Sequence, residues 1–185
     1  MNIEPWYSIK CIFRHLDLGK KIIVGAVPQL WEHGLLDRES HFEEIQFVAQ
    51  CLYEMKVNVL ISLHPKMEPS NYNFLTEFDG FNICADPLVS FMPIGDLFIS
   101  SYSSTALWAL CSGIVTIIPD FTKMDLCYDE FESMIKVFDR AKLKERLHAQ
   151  LITQFDFSKD WDRIGRNEIF DGKTISRYID LLKTG

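Results

Sequence analysis

Apolar runs and helical patterns alternate along the chain from Lys21 onward. Short runs rich in β-branched and aromatic residues predict six strands. These strands are predicted at 22–27, 57–63, 81–84, 96–101, 114–118 and 134–138. Strands that alternate with helices form a parallel sheet with helices packed on its faces. The pattern therefore predicts an α/β fold: a three-layer, Rossmann-like domain with a mostly parallel sheet.

The helical stretches carry start and stop signals. Ser40 followed by Glu43 is a capping-box pattern, which predicts that a helix begins at Ser40 and runs to about Met55. One face of this helix carries the apolar residues Phe42, Ile45, Ala49 and Leu52. Further helices are predicted at 69–78, 103–112, 139–151 and 174–183. Gly113 lies where a left-handed cap would end the third of these five helices.

Residues 1–19 precede the alternating pattern. Within them, Trp6, Ile9, Ile12, Phe13 and Leu16 have helical spacing, and Gly19 follows. We expect residues 1–19 to form a leading helix or a linker and residues 20–185 to form the Rossmann-like domain.

Composition and charge exclude several classes of protein. The 185 residues are 48% hydrophobic and include 19 basic and 26 acidic residues, which give a net charge of −7. These values are typical of one globular domain and not of a disordered or fibrous chain. The negative charge disfavours nucleic acid as a partner.

The cysteines and the apolar runs give a prediction of location. The five cysteines include no C-x-x-C pair, so neither a zinc site nor a disulfide framework is predicted. The first 21 residues lack a signal-peptide pattern, and no apolar run reaches the roughly 18 residues of a membrane span. We expect a cytoplasmic protein without a transmembrane segment, and peripheral attachment to the inner membrane is compatible with this.

Polar residues follow the predicted strands, and ligands bind at this edge in open α/β sheets. Ser103, Ser104 and Thr105 lie where a strand turns into a helix. Hydroxyls and free N–H groups at such a junction favour a phosphate. The alternative is that one hydroxyl only caps the helix.

Two further strand ends carry candidate binding residues. His64 precedes Pro65 and Lys66, and its imidazole can donate to a phosphate or transfer a proton, while Lys66 can supply a positive charge. A structural histidine and a solvated lysine are the alternatives. Glu32 and His33 lie before a glycine in a loop that a ligand can approach closely, and an ordinary exposed loop is the alternative there.

Three segments together resemble a known class of enzymes: VPQLWEHGLL, LISLHPK and DLFISSYSSTALWALCSGIVTIIPD. They are similar to the C-terminal, nucleotide-sugar-binding half of GT-B glycosyltransferases. The nearest likeness is to bacterial surface-polysaccharide transferases with an HP motif and a Ser-Ser motif, which include sialyltransferases, polysialyltransferases and CDP-glycerol glycerophosphotransferases. The resemblance covers about residues 21–183. It implies that His64 and Pro65 contact the donor nucleotide and that Ser103 and Ser104, with Thr105, hold its phosphate.

The resemblance also implies what the chain would need. GT-B enzymes have an N-terminal Rossmann-like domain that binds the acceptor and usually supplies the catalytic base. We therefore expect this chain to bind a CMP-, CDP- or UDP-linked sugar for polysaccharide or glycan synthesis and to be inactive without that domain. No metal ion and no cofactor other than the nucleotide-sugar substrate is expected.

Two alternatives stay open. One is half of a UDP-N-acetylglucosamine 2-epimerase-like isomerase, which has a similar fold. No acidic residue lies between Asp96 and Asp120, and this counts against the proton transfer that an epimerase performs. The other alternative is a non-catalytic α/β module that binds a nucleotide or a protein.

Overall fold

A computed structural model of the chain describes residues 6–7, 16–17, 19–124 and 128–165. Its central feature is a sheet of seven strands, in which every paired strand is parallel to its neighbour. The strands are β1 (Trp6–Tyr7), β2 (Ile22–Ala26), β3 (Asn58–Ser62), β4 (Phe81–Cys84), β5 (Leu97–Ile99), β6 (Thr116–Pro119) and β7 (Met134–Val137). Their order across the sheet is β1-β4-β3-β2-β5-β6-β7.

Helices cover both faces of the sheet. They are α1 (Arg38–Glu54), α2 (Leu88–Phe91), α3 (Thr105–Cys111), α4 (Leu143–Ile152) and α5 (Ser158–Arg163), with 3-10 helices at Pro69–Glu77, Met92–Ile94 and Arg140–Lys142. Ile23 of β2 packs in one core cluster with α1 and α4, whereas its neighbour Val24 packs in another with α2 and α3. Successive strand residues face opposite sides of a sheet, so these clusters are its two faces. The three-layer, Rossmann-like α/β prediction is confirmed.

The six predicted strands are present. Four are shorter than predicted, β4 has the predicted bounds, and β6 starts later and ends at Pro119, one residue beyond its predicted end. The helix starts differ more. α1 begins at Arg38, two residues before the predicted start, because the Asp37 carboxylate caps it by accepting the Ser40 N–H at 2.9 Å. Ser40 therefore lies inside the first turn, and the capping-box prediction for the helix start is wrong. The predicted helix at 69–78 is a 3-10 helix, and the pattern did not predict α5.

The leading segment is only partly described. Trp6–Tyr7 form a strand that pairs with Ile83 and Cys84, so the prediction of a helix is wrong for these two residues. Most of residues 1–19, and the whole of the helix predicted at 174–183, lie outside the described residues. The division at residue 20 stays a prediction.

The chain order changes direction beside β2. The chain adds β3 and β4 on one side of β2 and then returns to place β5 on the other. Val24 in the middle of β2 pairs with Leu60 and with Phe98, and Ser100 donates a hydrogen bond to the Ala26 carbonyl at 2.9 Å just beyond the strand ends. In open α/β sheets, such a reversal leaves a crevice at the carboxyl ends of the strands.

Gly113 ends α3 in the left-handed conformation that the sequence predicted, with a φ of +72°. A Cβ at this position would lie 3.2 Å from Cζ2 of Trp161. That indole stacks on Phe157 and donates to the Leu110 carbonyl at 2.9 Å, so it is held in place. Gly34 has a similar φ of +68°, but nothing lies within 4 Å of its Cβ position.

Two glycine substitutions separate backbone strain from crowding. We expect Gly34→Ala to lower the free energy of unfolding by about 1 kcal/mol, the cost of a left-handed conformation with a side chain. Gly113→Ala should cost about 2 kcal/mol, because the methyl group also displaces Trp161. Urea denaturation of both variants and the parent measures this. Equal losses in the two variants would contradict the crowding at Gly113.

Candidate functional site

A cleft of about 950 Å³ opens at the carboxyl ends of β4, β3, β2 and β5, which are neighbours in the sheet. The strand reversal beside β2 therefore lies at its centre. This volume is within the range of roughly 300–1,000 Å³ that is typical of ligand pockets. A second cavity, of about 70 Å³, lies between α1 and the sheet and is lined mainly by apolar side chains. It is too small for a nucleotide.

The cleft brings together most of the residues that the sequence singled out. Those that line it are His33, His64, Pro65, Ser103, Ser104 and Thr105. Gln29 and Tyr102, which also follow strands, line it as well. Glu32 and Lys66 do not line it.

The orientation of the His64 ring is set by the backbone of the same turn. The Lys66 N–H donates to His64 Nδ1 at 3.2 Å, and the His64 N–H donates to the Met67 sulfur at 3.3 Å. Because Nδ1 accepts a hydrogen bond, the neutral ring carries its proton on Nε2. The imidazole is exposed in the cleft, so it can present an N–H donor to a ligand. Lys66 thus acts on His64 through its backbone and not through its ammonium group.

The three hydroxyl residues after β5 differ in their local bonds. Ser103 Oγ lies 2.7 Å from Thr105 Oγ1 and accepts the Thr105 N–H at 3.2 Å. Tyr128 donates to the Ser103 carbonyl at 3.3 Å, which further fixes this turn. Ser104 is exposed and its side chain makes no capping hydrogen bond to α3. The alternative that one hydroxyl caps the helix therefore fits Ser103, whose Oγ accepts the N–H of the first residue of α3, and it does not account for Ser104.

Glu32 is exposed and lies at the end of a series of hydrogen bonds that begins at the buried residues His41 and Tyr72. Tyr72 donates to the Glu32 carboxylate at 2.9 Å, and the Tyr72 oxygen lies 3.1 Å from Nε2 of His41. Burial, and the bond to Glu32, raise the pKa of Tyr72, whereas burial lowers the pKa of His41. His41 and Tyr72 are both fully buried. These hydrogen bonds connect the loop that carries His33 to α1 and to the 3-10 helix at Pro69–Glu77.

The cleft also contains residues that the strand-end pattern missed. Cys84, Asp86 and Leu88 come from β4 and the segment after it, and Trp108 comes from α3. Trp108 lies one helical turn beyond Thr105, and this spacing was a signal that it shares an edge with the hydroxyl cluster. Burial raises the pKa of the Cys84 thiol to about 12, so this cysteine is not an activated nucleophile.

Two buried carboxylates, those of Asp160 and Asp120, have structural partners. Asp160 is buried, and its two carboxylate oxygens accept the N–H groups of Glu132 and Ser133 at 3.0 and 2.8 Å. Asp120, at the end of β6, is also buried and accepts the Met124 N–H at 2.8 Å. Within residues 19–124 and 128–165, no group of three or more histidine, cysteine or acidic residues is placed to hold a metal ion.

The fold is shared with GT-B glycosyltransferases and with an epimerase. The calicheamicin glycosyltransferase CalG4 matches with a TM-score of 0.61 at 9% identity, over 97% of this chain and 43% of that protein. The wall teichoic acid polymerase TagF matches with a TM-score of 0.60 at 21% identity, over 95% and 44%. UDP-GlcNAc 2-epimerase from Methanocaldococcus jannaschii, in complex with UDP-GlcNAc and UDP, matches with a TM-score of 0.55 at 13% identity, over 87% and 48%.

These comparisons show the class of fold and how much of each similar protein the chain covers. The chain has a GT-B-like, Rossmann-like fold and spans less than half the length of each of these three proteins. No protein-family model and no curated protein matches the sequence. None of the helices in the described part of the chain is both long and apolar enough to cross a membrane.

The buried His41 gives a pH-dependent stability. Its pKa lies below 6.5 in the folded chain, so the unfolded chain takes up a proton first as the pH falls. We expect the free energy of unfolding to decrease below about pH 6.5, by at most about 1.4 kcal/mol per pH unit from this residue. The measurement is urea denaturation at a series of pH values from 7.5 to 5.5.

A pair of variants assigns this effect. His41→Gln should show a weaker pH dependence than the parent, because it keeps a hydrogen-bonding group but does not titrate. His148→Gln changes an exposed histidine of α4 and should leave the pH dependence as it is. The same slope in His41→Gln and the parent would show that His41 is not a buried neutral imidazole.

Proposed function

We propose that this chain is the donor-binding domain of a nucleotide-sugar-dependent glycosyltransferase in polysaccharide or glycan biosynthesis. The observation that carries the proposal is that one large cleft at the strand reversal contains His64, Pro65 and the three hydroxyls Ser103, Ser104 and Thr105. His64 and the three hydroxyl residues follow strands of the sheet, and the resemblance to GT-B enzymes implies that Pro65 also contacts the nucleotide. The donor would carry CMP, CDP or UDP.

The proposed chemistry is electrostatic. Glycosyl transfer breaks the bond between the sugar and the phosphate, so negative charge develops on the phosphate of the leaving nucleotide. Donors that are already oriented toward that charge lower the barrier more than donors that must reorganise. The Ser104 hydroxyl and the Nε2–H of His64 would be such donors. The hydrogen bonds between Ser103 and Thr105 would keep the turn in place. This scheme needs no metal ion.

The similar proteins support the proposal at the level of the fold. The epimerase structure contains UDP-GlcNAc and UDP. The other two proteins are a glycosyltransferase and a wall teichoic acid polymerase. Because the chain spans less than half of each, we propose that a second Rossmann-like domain supplies the acceptor site and the catalytic base. The stretch from 97 to 119 contains no acidic residue, which favours the transferase over the epimerase.

The proposal predicts a specific nucleotide effect on thermal stability. A ligand at 100 times its dissociation constant stabilises a protein by about 2.7 kcal/mol. We expect CMP, CDP or UDP to raise the melting temperature of the chain, and GDP and NAD to have little effect. Ser104→Ala and His64→Ala should each reduce this shift, because each removes a hydrogen-bond donor from the phosphate.

Neighbouring residues provide controls for both variants. Lys66→Ala keeps the backbone N–H that holds His64 and should retain the full shift. Ser112→Ala changes an exposed serine at the other end of α3, outside the cleft, and should also retain it. The site assignment is wrong if Ser104→Ala and His64→Ala bind the nucleotide as the parent does. The absence of a shift with every nucleotide would reject the donor-binding function.

A further inference from the structure

The cleft is lined by both polar and apolar side chains. The polar ones include Gln29, His33 and Asp86, and the apolar ones include Leu88 and Trp108. Leu88 and Ala109 of α3 belong to the same buried core cluster on one face of the sheet.

Trp108 is an exposed aromatic residue on a firmly held helix. Half of its surface, 50%, is exposed, whereas the following residues Ala109 and Leu110 are fully buried. The backbone of α3 is thus fixed by its packing while the indole stays at the cleft surface. A large aromatic face that is left open in a cleft is suited to stack against a planar ring.

The hydroxyl cluster lies close to this indole. Thr105 is three residues before Trp108 on the same helix, a rise of about 4.5 Å along the axis. A nucleotide also carries its phosphate a short distance from a flat, weakly polar ring. The sugar that it donates is rich in hydroxyl groups, and polar residues such as Gln29 and His33 line the same cleft.

We propose that Trp108 is the stacking surface for the nucleobase of the bound donor. This inference rests on the proposed function of the chain. The base lies against Trp108, the phosphates lie at Ser103–Thr105, and the sugar lies among the polar residues of the same cleft. Stacking contacts the face of a ring and not its edge, so Trp108 strengthens binding of cytosine and uracil nucleotides alike.

Binding of two probes to the same variants tests the proposal. Isothermal titration gives the dissociation constants of UDP, CDP and inorganic pyrophosphate, which has the phosphates without the base. Trp108→Ala should weaken binding of UDP and CDP by about tenfold, the usual size of a base-stacking contact, and leave pyrophosphate binding unchanged. Ser104→Ala should weaken binding of all three. Trp108→Phe should keep most of the affinity.

A control and a spectroscopic readout accompany the titrations. Tyr53→Ala removes an aromatic residue of similar exposure, 44%, that does not line the cleft, and should bind both kinds of probe as the parent does. Stacking should also quench tryptophan fluorescence when UDP or CDP binds. Trp108→Phe should lose this quenching, whereas Trp31→Phe, outside the cleft, should retain it.

Each other outcome overturns a defined part of the argument. UDP and CDP binding that is unchanged in Trp108→Ala rejects the stacking role and leaves the donor-binding function standing. An equal loss for pyrophosphate shows that the substitution alters the shape of the cleft, which also rejects the stacking role. If the parent chain binds pyrophosphate but no nucleotide, both the stacking role and the donor-binding function are rejected.

Discussion

The parallel pairing of β2 with β3 on one side and with β5 on the other is the constraint on which the molecule depends. Both faces of β2 are buried, since Ile23 and Val24 are 0% exposed and pack against different helical layers. Because all the strands run in one direction, the segments that leave β2, β3 and β5 emerge at the same edge. His33, His64 and Ser103 come from these three segments, so residues far apart in sequence share one cleft.

The sequence placed the strand ends but not the directions of the side chains. Buried parallel strands are apolar runs that stop at polar residues, so His64 and Ser104 could be assigned to one edge of the sheet. Glu32 and His33 are adjacent, yet His33 lines the cleft and Glu32 bonds to Tyr72, 40 positions away. Nothing local signals such a partner. An aromatic residue on a helix is usually in the core, and only the packing of α3 shows that Trp108 is exposed.

The fold of this protein does not by itself determine a reaction. The same backbone arrangement serves a glycosyltransferase, a teichoic acid polymerase and an epimerase, so it does not choose among their reactions. The choice comes from the side chains at the strand ends. Some strand-end side chains of this protein are held by bonds within their own turns: His64 Nδ1 accepts the Lys66 N–H, and Ser103 Oγ bonds to Thr105. Groups held in this way do not have to be ordered by the ligand.

The bond from the Lys66 backbone to His64 has a consequence for how this site can vary during evolution. Every residue type except proline offers the same N–H, so position 66 can change its side chain freely while the tautomer of the histidine is preserved. Two turns with different residues at this position would be equivalent in chemistry. Sequence variability at position 66 would then be compatible with a structural role of its backbone N–H, which a change of side chain does not remove.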